Sequence, residues 1–115
     1  MLVPKRGEVY IVNFDPTVGS EISKTRPALI LQNDIGNHYS PVTIVSAISS
    51  CADGIVYPTE VLITSPEGGL SEKSVIVLNQ IRTIDKKRLV KRIGEVSSQS
   101  MEKVDRAIEI SLGLI

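Results

Sequence analysis

A chain of 115 residues, 42% hydrophobic and 23% charged, has the composition of one globular domain with a single core, and it is too short for two. Its 13 basic and 13 acidic residues give zero formal net charge, so composition carries no signature of a nucleic-acid binder. The absence of Trp, with one Phe and three Tyr, argues against an aromatic base-stacking sheet; a single His excludes any mechanism that needs two imidazoles, and a single Cys excludes an internal disulfide framework.

The elements follow in chain order. "GEVYIVNF", residues 7–14, is rich in β-branched and aromatic residues and is closed by the turn formers of "DPTVGS", so it predicts a first strand. "PALILQ" after Arg26 predicts a strand apolar on both faces, and "NDIGNHYSP" reads as the loop that ends it. "VTIVSAIS" predicts a third strand, running into the small-residue turn "SSCADG". "VYPTEVLI" predicts a fourth, with Pro58 marking an edge position or an irregular start. After the loop "SPEGGLSEK", "SVIVLNQIRTI" predicts a fifth strand that bends near Asn79, and "RLVKRIGEV" reads as a short last strand or an entry into helix. From Ser97 the period changes: Met101, Val104, Ile108, Leu112 and Ile115 recur at spacings of three and four, with Ser97 or Ser98 as the cap. Strands about ten residues apart followed by one helix predict a mainly β fold, a small twisted barrel with a C-terminal α-helix packed on it. The apolar tail "ISLGLI" is more than one such domain covers, which points to a homodimer.

No apolar run approaches the ~18 residues of a membrane span, and "MLVPKRGE" lacks the apolar region of a signal peptide; with the lone Cys51 this predicts a cytoplasmic protein. No metal-ligand spacing is present, and "EGGL" lacks the strand–loop–helix setting of a phosphate-cradling loop. His38 lies in a Gly/Asn loop with no catalytic setting. The stretch "RTIDKKRLVKR", residues 82–92, carries six cations against one anion and reads as a solvated face or a local RNA-binding stripe. What remains is an arginine-centred site. Pro27 biases Arg26 to extended geometry at the start of a rigid strand, and an adjacent third strand can bring the Ser49 hydroxyl near it.

The motifs "RGEVY", "VGSE", "RPALILQND" followed by "GN", and "QIRTIDK", together and in this order, resemble the MazF/PemK/Kid family of type II toxin–antitoxin toxins, most of all the MazF toxins of Gram-positive bacteria. The resemblance runs from about residue 4 to the end and makes residues 1–115 a single toxin domain. It implies an SH3-like barrel with a C-terminal helix, a homodimer, and metal-independent cleavage of single-stranded RNA, mostly mRNA, at short motifs. In that chemistry the ribose 2′-hydroxyl attacks the adjacent phosphorus and leaves a 2′,3′-cyclic phosphate and a 5′-hydroxyl, with no cofactor. It also implies a cognate antitoxin of the MazE type.

Residue by residue, the family's catalytic arginine falls on Arg26 and the "GSE" acid on Glu21. A threonine at the end of the third strand is replaced here by Ser49, which keeps the hydroxyl and loses the methyl. Ser20, Lys24, Asn33, Asn37, Gln80 and Arg82 match positions implied to bind RNA, the amides and hydroxyl suiting base edges and the cations suiting phosphates. Two rival readings share the fold. A non-catalytic inhibitor of DNA gyrase, like the CcdB toxins, is opposed by the lack of the tryptophan such toxins use. A degenerate toxin that only binds antitoxin has Ser49 as its single hint.

Overall fold

A computed structural model describes residues 2–51 and 53–115. Six strands, β1 (Glu8–Asn13), β2 (Thr25–Ile30), β3 (Val42–Ser50), β4 (Glu60–Ile63), β5 (Ser74–Asp85) and β6 (Leu89–Glu95), form one antiparallel sheet in the order β4-β5-β3-β2-β1-β6. A short helix α1 (Asp34–Tyr39) lies between β2 and β3, and α2 (Ser98–Ser111) follows β6. This is the expected mainly β fold with a C-terminal helix. The ladder does not close into a full barrel, because β4 and β6 remain its two edges.

The period-2 pattern sorts the core into two clusters. Val9, Leu29, Ile48 and Ile76 gather under Val104 and Ala107 of α2. The alternate residues, Tyr10, Val12, Ala28, Ile30, Val45 and Ala47, gather with Phe14 and Ile22 of the β1–β2 connection. The first cluster carries the helix and the second underlies the candidate site.

Strand β5 bends where the sequence places the bend. Between Ser46 and Ile48 the β3 side advances two residues, while β5 advances five, from Ile81 back to Ile76. Residues 77–80 stand there opposite Ala47 alone, three more than a regular ladder holds, and form the bulge that carries Gln80, while residues 74–76 pair with both β3 and β4. Only residues 60–63 of "VYPTEVLI" are strand, since Pro58 cannot donate to a ladder.

Two expectations are corrected. The segment after β2 is not all loop: the Asn33 side chain accepts from the Gly36 N–H at 2.7 Å and caps α1. The terminal helix is shorter than its apolar stripe. Gly113, at φ 71°, and the bonds from Leu114 N to Glu109 O and from Gly113 N to Ile110 O end it, leaving Leu112, Leu114 and Ile115 exposed.

A 3₁₀ turn at Glu67–Gly69 fills the gap between the open edge and α2. Its backbone lies against β6 so closely that a Cβ on Gly94 would sit 2.5 Å from the Gly68 carbonyl carbon. The Glu67 carboxylate accepts the Ser97 N–H at 3.0 Å and the Ser100 hydroxyl at 2.6 Å, satisfying the first turn of α2.

Gly94→Ala is expected to force this contact apart and lower stability by about 1–3 kcal/mol, read as a shift in urea midpoint at constant slope. The Ser100 and Ser97 donors hold the Glu67 carboxyl below its ordinary value. Its charged form therefore adds stability above the unfolded-state value of 4.5, a contribution lost as pH falls through the lower folded-state value. Thermal melts should show Glu67→Gln less stable than the parent at about pH 7, with the difference shrinking towards about pH 3; a gap that stays constant would remove the carboxylate from this role.

Candidate active site

Strand β2 runs between β1 and β3, with Arg26 opposite Val12 on one side. The β2–β3 ladder pairs Ile30 with Val45, Leu29 with Ser46 and Ala28 with Ala47, and stops one residue short of Pro27, which has no N–H to contribute. Continuing that register outward by two residues sets Arg26 across from Ser49, where the strands part. Both alternate onto the face of Ala28 and Ala47. Each is half-buried.

Arg26 is oriented through one nitrogen. Its Nε donates to the Ser23 carbonyl at 2.9 Å. The ion pairs among the described residues are Arg6–Asp105, Arg92–Glu8 and Arg92–Glu95, so no carboxylate pairs with Arg26, and its two terminal nitrogens carry no hydrogen bond to a described residue. A guanidinium held this way presents a fork suited to two oxygens of one phosphate.

The β1–β2 connection is built over this end of the sheet and is held by cations acting on carbonyls. Arg82 Nη1 donates to the Phe14 carbonyl at 2.7 Å, and Arg88 Nη1 donates to those of Asn13 and Asp15. Gln80 Oε1 accepts the Ile22 N–H at 3.4 Å. Lys24 closes the connection: its N–H donates to Asp15 Oδ1, its carbonyl accepts the Phe14 N–H, and its φ of 70° is a left-handed geometry rare for a side-chain-bearing residue. Ser20 is exposed on the same connection, and Glu21 accepts the Val18 N–H there.

Glu21, Gln80 and Arg82 line one small cavity of about 80 Å³ with Phe14. Gln80 and Ile22 also border a cleft of about 250 Å³ that reaches Ser49. The structure thus sets Arg26 and Ser49 at one end of the sheet and gathers Ser20, Glu21 and Lys24 on the connection beside it, which the Gln80 and Arg82 side chains reach from β5. Asn33 and Asn37 are not there. They lie past the other end of β2, where Asn33 caps α1. Asn37 is fully buried, with its Nδ2 on the Gln32 carbonyl and its Oδ1 accepting from Thr43 and Gln32. Asn37 is thus held inside the fold, while Asn33 spends its Oδ1 on the cap and stays exposed. Asp85, from the same motif as Arg82, caps the turn at Lys87.

The sequence reading missed the far wall of the cleft. Asp53, Ile55 and Tyr57 of the β3–β4 connection line it, and Tyr57 is 61% exposed. The signal was the apolar run "IVY" ahead of Pro58, where an edge position or irregular start leaves it no core to enter. The basic run also resolves differently from a solvated face. Arg82 and Arg88 clamp carbonyls, Arg92 pairs with Glu8, and Lys86 is buried with its Nζ on the Asn37 carbonyl.

A family described as "PemK-like, MazF-like toxin of type II toxin-antitoxin system" matches residues 5–112. Over 114 residues the chain is 47% identical to Endoribonuclease EndoA of Bacillus subtilis (strain 168), covering 99% of this chain and 98% of that protein. The fold is similar to that of MazF from Deinococcus radiodurans, with a TM-score of 0.84, 26% identity and coverage of 98% and 99%. It is similar also to a MazE–MazF structure from the same organism, at a TM-score of 0.78, 26% identity and full coverage of both chains.

If Arg82 holds the β1–β2 connection, Arg82→Met should speed amide hydrogen exchange across residues 17–24 by roughly tenfold, the loss of one charge-assisted bond, with Leu29 and Val45 unaffected. Unchanged exchange in that segment would free Arg82 for another role.

Proposed function

This chain belongs to the PemK-like, MazF-like toxins of type II toxin–antitoxin systems, and from that premise we propose that it is an endoribonuclease acting on single-stranded RNA through Arg26 and Ser49. The observation that carries the reading is the β2–β3 register, which extended two residues past Ala28–Ala47 sets Arg26 opposite Ser49, with the guanidinium anchored by Nε alone.

The reaction follows from that geometry. The ribose 2′-oxygen attacks the adjacent phosphorus, its proton passing to a base. The bond to the 5′-oxygen breaks, that oxygen is protonated, and a 2′,3′-cyclic phosphate is left. Negative charge grows on the non-bridging oxygens, and a preorganised guanidinium stabilises it without reorganising. Arginine stays protonated, so its part is electrostatic, and the Ser49 hydroxyl adds a hydrogen bond to the same phosphate. Glu21, carried on the covering connection, is the carboxylate proposed as base or orienting group.

Lys24 is the cation proposed to meet the RNA backbone, and Ser20 and Gln80 the groups proposed to meet base edges, with Gln80 and Arg82 also fixing the connection. The reaction is proposed to run without a metal ion. A MazE-like antitoxin is the proposed partner, contributing an acidic segment that folds over the cations of the site. The exposed Leu112, Leu114 and Ile115 support a homodimer. No helix among the described residues is long and apolar enough to cross a membrane. We place the protein in the cytoplasm, where RNA substrate and antitoxin would be met. The rival readings have less behind them: there is no tryptophan for a gyrase inhibitor, and Ser49 retains a hydroxyl facing Arg26.

Cleavage of a long single-stranded RNA in the presence of EDTA, with cut sites mapped by primer extension, tests the reading. Arg26→Ala is expected to lose about 10²–10³ in rate, the scale of removing one transition-state donor, and Ser49→Ala to lose less, with Ser49→Thr active. Cleavage that is unchanged in Arg26→Ala, or that stops with EDTA, would overturn the mechanism.

A further inference from the structure

Phe14 and Lys24 stand opposite each other one step beyond Asn13–Thr25, the last pair of the β1–β2 ladder. Where an antiparallel pair is hydrogen-bonded it exchanges two bonds. Only one forms here, from the Phe14 N–H to the Lys24 carbonyl at 2.9 Å. The Phe14 carbonyl is taken by Arg82 instead, and the Lys24 N–H goes to Asp15 Oδ1 at 2.9 Å. With its φ at 70°, Lys24 turns the Ser23–Lys24 peptide unit out of the ladder. That unit is then bonded at both ends. Its N–H donates to the Asp15 carboxylate, and its carbonyl, which is that of Ser23, accepts the Arg26 Nε–H at 2.9 Å. Asp15 is itself held, by its N–H on Asn13 Oδ1 at 3.1 Å and by Arg88 on its carbonyl. Its carboxylate has no ion-pair partner among the described residues. A single peptide plane thus joins a carboxylate to the phosphate-directed arginine.

We propose that Asp15 is a positioning residue for Arg26, acting through the Ser23–Lys24 peptide to fix the direction of the guanidinium. The proposal rests on the ribonuclease reading above. Nε is the one nitrogen through which the Arg26 side chain is anchored, and its carbonyl partner is only as fixed as the peptide plane that carries it. Left to itself that plane would rotate, because a left-handed φ is unfavourable for a residue with a side chain. The Asp15 carboxylate opposes the rotation by holding the N–H. It also strengthens the bond beyond: an acceptor on the N–H polarises the peptide, so the carbonyl becomes a better partner for Nε. Asp15 needs no contact with the RNA for this. A transition state stabilised by a preorganised guanidinium suffers as soon as the guanidinium can swing.

The test is cleavage of a short single-stranded RNA spanning one mapped cut site, by the wild-type protein and by folded variants. Asp15→Ala should lower kcat by about 10–100-fold with KM changed by less than about threefold. Asp15→Asn, whose amide oxygen accepts the same N–H, should recover most of that loss. In an Arg26→Ala background, Asp15→Ala should cost less than about twofold more, because no guanidinium is left to orient. A second readout needs no RNA. By nitrogen-15 NMR, the Arg26 Nε–H, assigned by its loss in Arg26→Ala, should exchange with water roughly fivefold faster in Asp15→Ala. Losses from the two substitutions that multiply, or an Nε–H exchange rate unchanged in Asp15→Ala, overturn the positioning role while leaving the nuclease in place. Wild-type protein that cuts no RNA overturns the nuclease reading, and the exchange rate then decides by itself whether Asp15 orients Arg26.

Discussion

The site depends on how the chain between β1 and β2 is closed. That connection has to leave the sheet at Asn13, cover the second core cluster with Phe14 and Ile22, and return with Arg26 aimed outward. The closure comes from elsewhere: guanidinium groups on β5 and on the turn after it hold the carbonyls of residues 13–15, and the Gln80 amide holds Ile22. Lys24 is kept in a left-handed conformation costing on the order of 1–3 kcal/mol, which persists because Asp15 and Phe14 fix it from both sides. The bulge in β5 matters for the same reason, since it brings Gln80 under the connection.

Cations in this protein therefore divide by use. Those with carbonyl or carboxylate partners (Arg6, Arg82, Lys86, Arg88, Arg92) hold backbone segments together. Others carry no side-chain partner among the described residues, and of these the outer nitrogens of Arg26 and the Lys24 amine lie at the open end of β2. A chain of zero net charge has no long-range field to draw RNA in. Its affinity has to come from the few groups that remain free, and each carries a correspondingly large share of the salt dependence.

The strands and the terminal helix were legible because they rest on period: alternation in "GEVYIVNF" and "VTIVSAIS", three-and-four spacing after Ser97. Pro27 and the apolar run behind it made Arg26 legible too. What escaped depends on tertiary partners. Asn37 reads as a polar loop residue until Thr43, Gln32 and Lys86 close around it, and Asn33 becomes a cap only once α1 exists. The end of α2 turns on Gly113, whose αL geometry outweighs an apolar stripe that would otherwise continue. The role of Tyr57 does not follow from its local apolar run, because its cleft is assembled from β3, β5 and two connections.

The open edge of the sheet links stability to the shape of the site. Where a closed barrel would join β4 to β6 by hydrogen bonds, this fold presses the Glu67–Gly69 turn onto Ile93 and Gly94, and only glycines allow it: a Cβ on Gly69 would meet the Ile93 carbonyl at 1.9 Å. The same turn, through Gly69 and Leu70, forms one wall of a second cavity beside Ser49, and its first residue, Glu67, carries the N-terminal bonds of α2. The wall is thus as rigid as the contact that closes the sheet. A substitution that loosens the turn would change the cavity without touching Arg26 or Ser49. Because a packed core deforms in steps rather than smoothly, the cavity and the N-terminal bonds of α2 would change together.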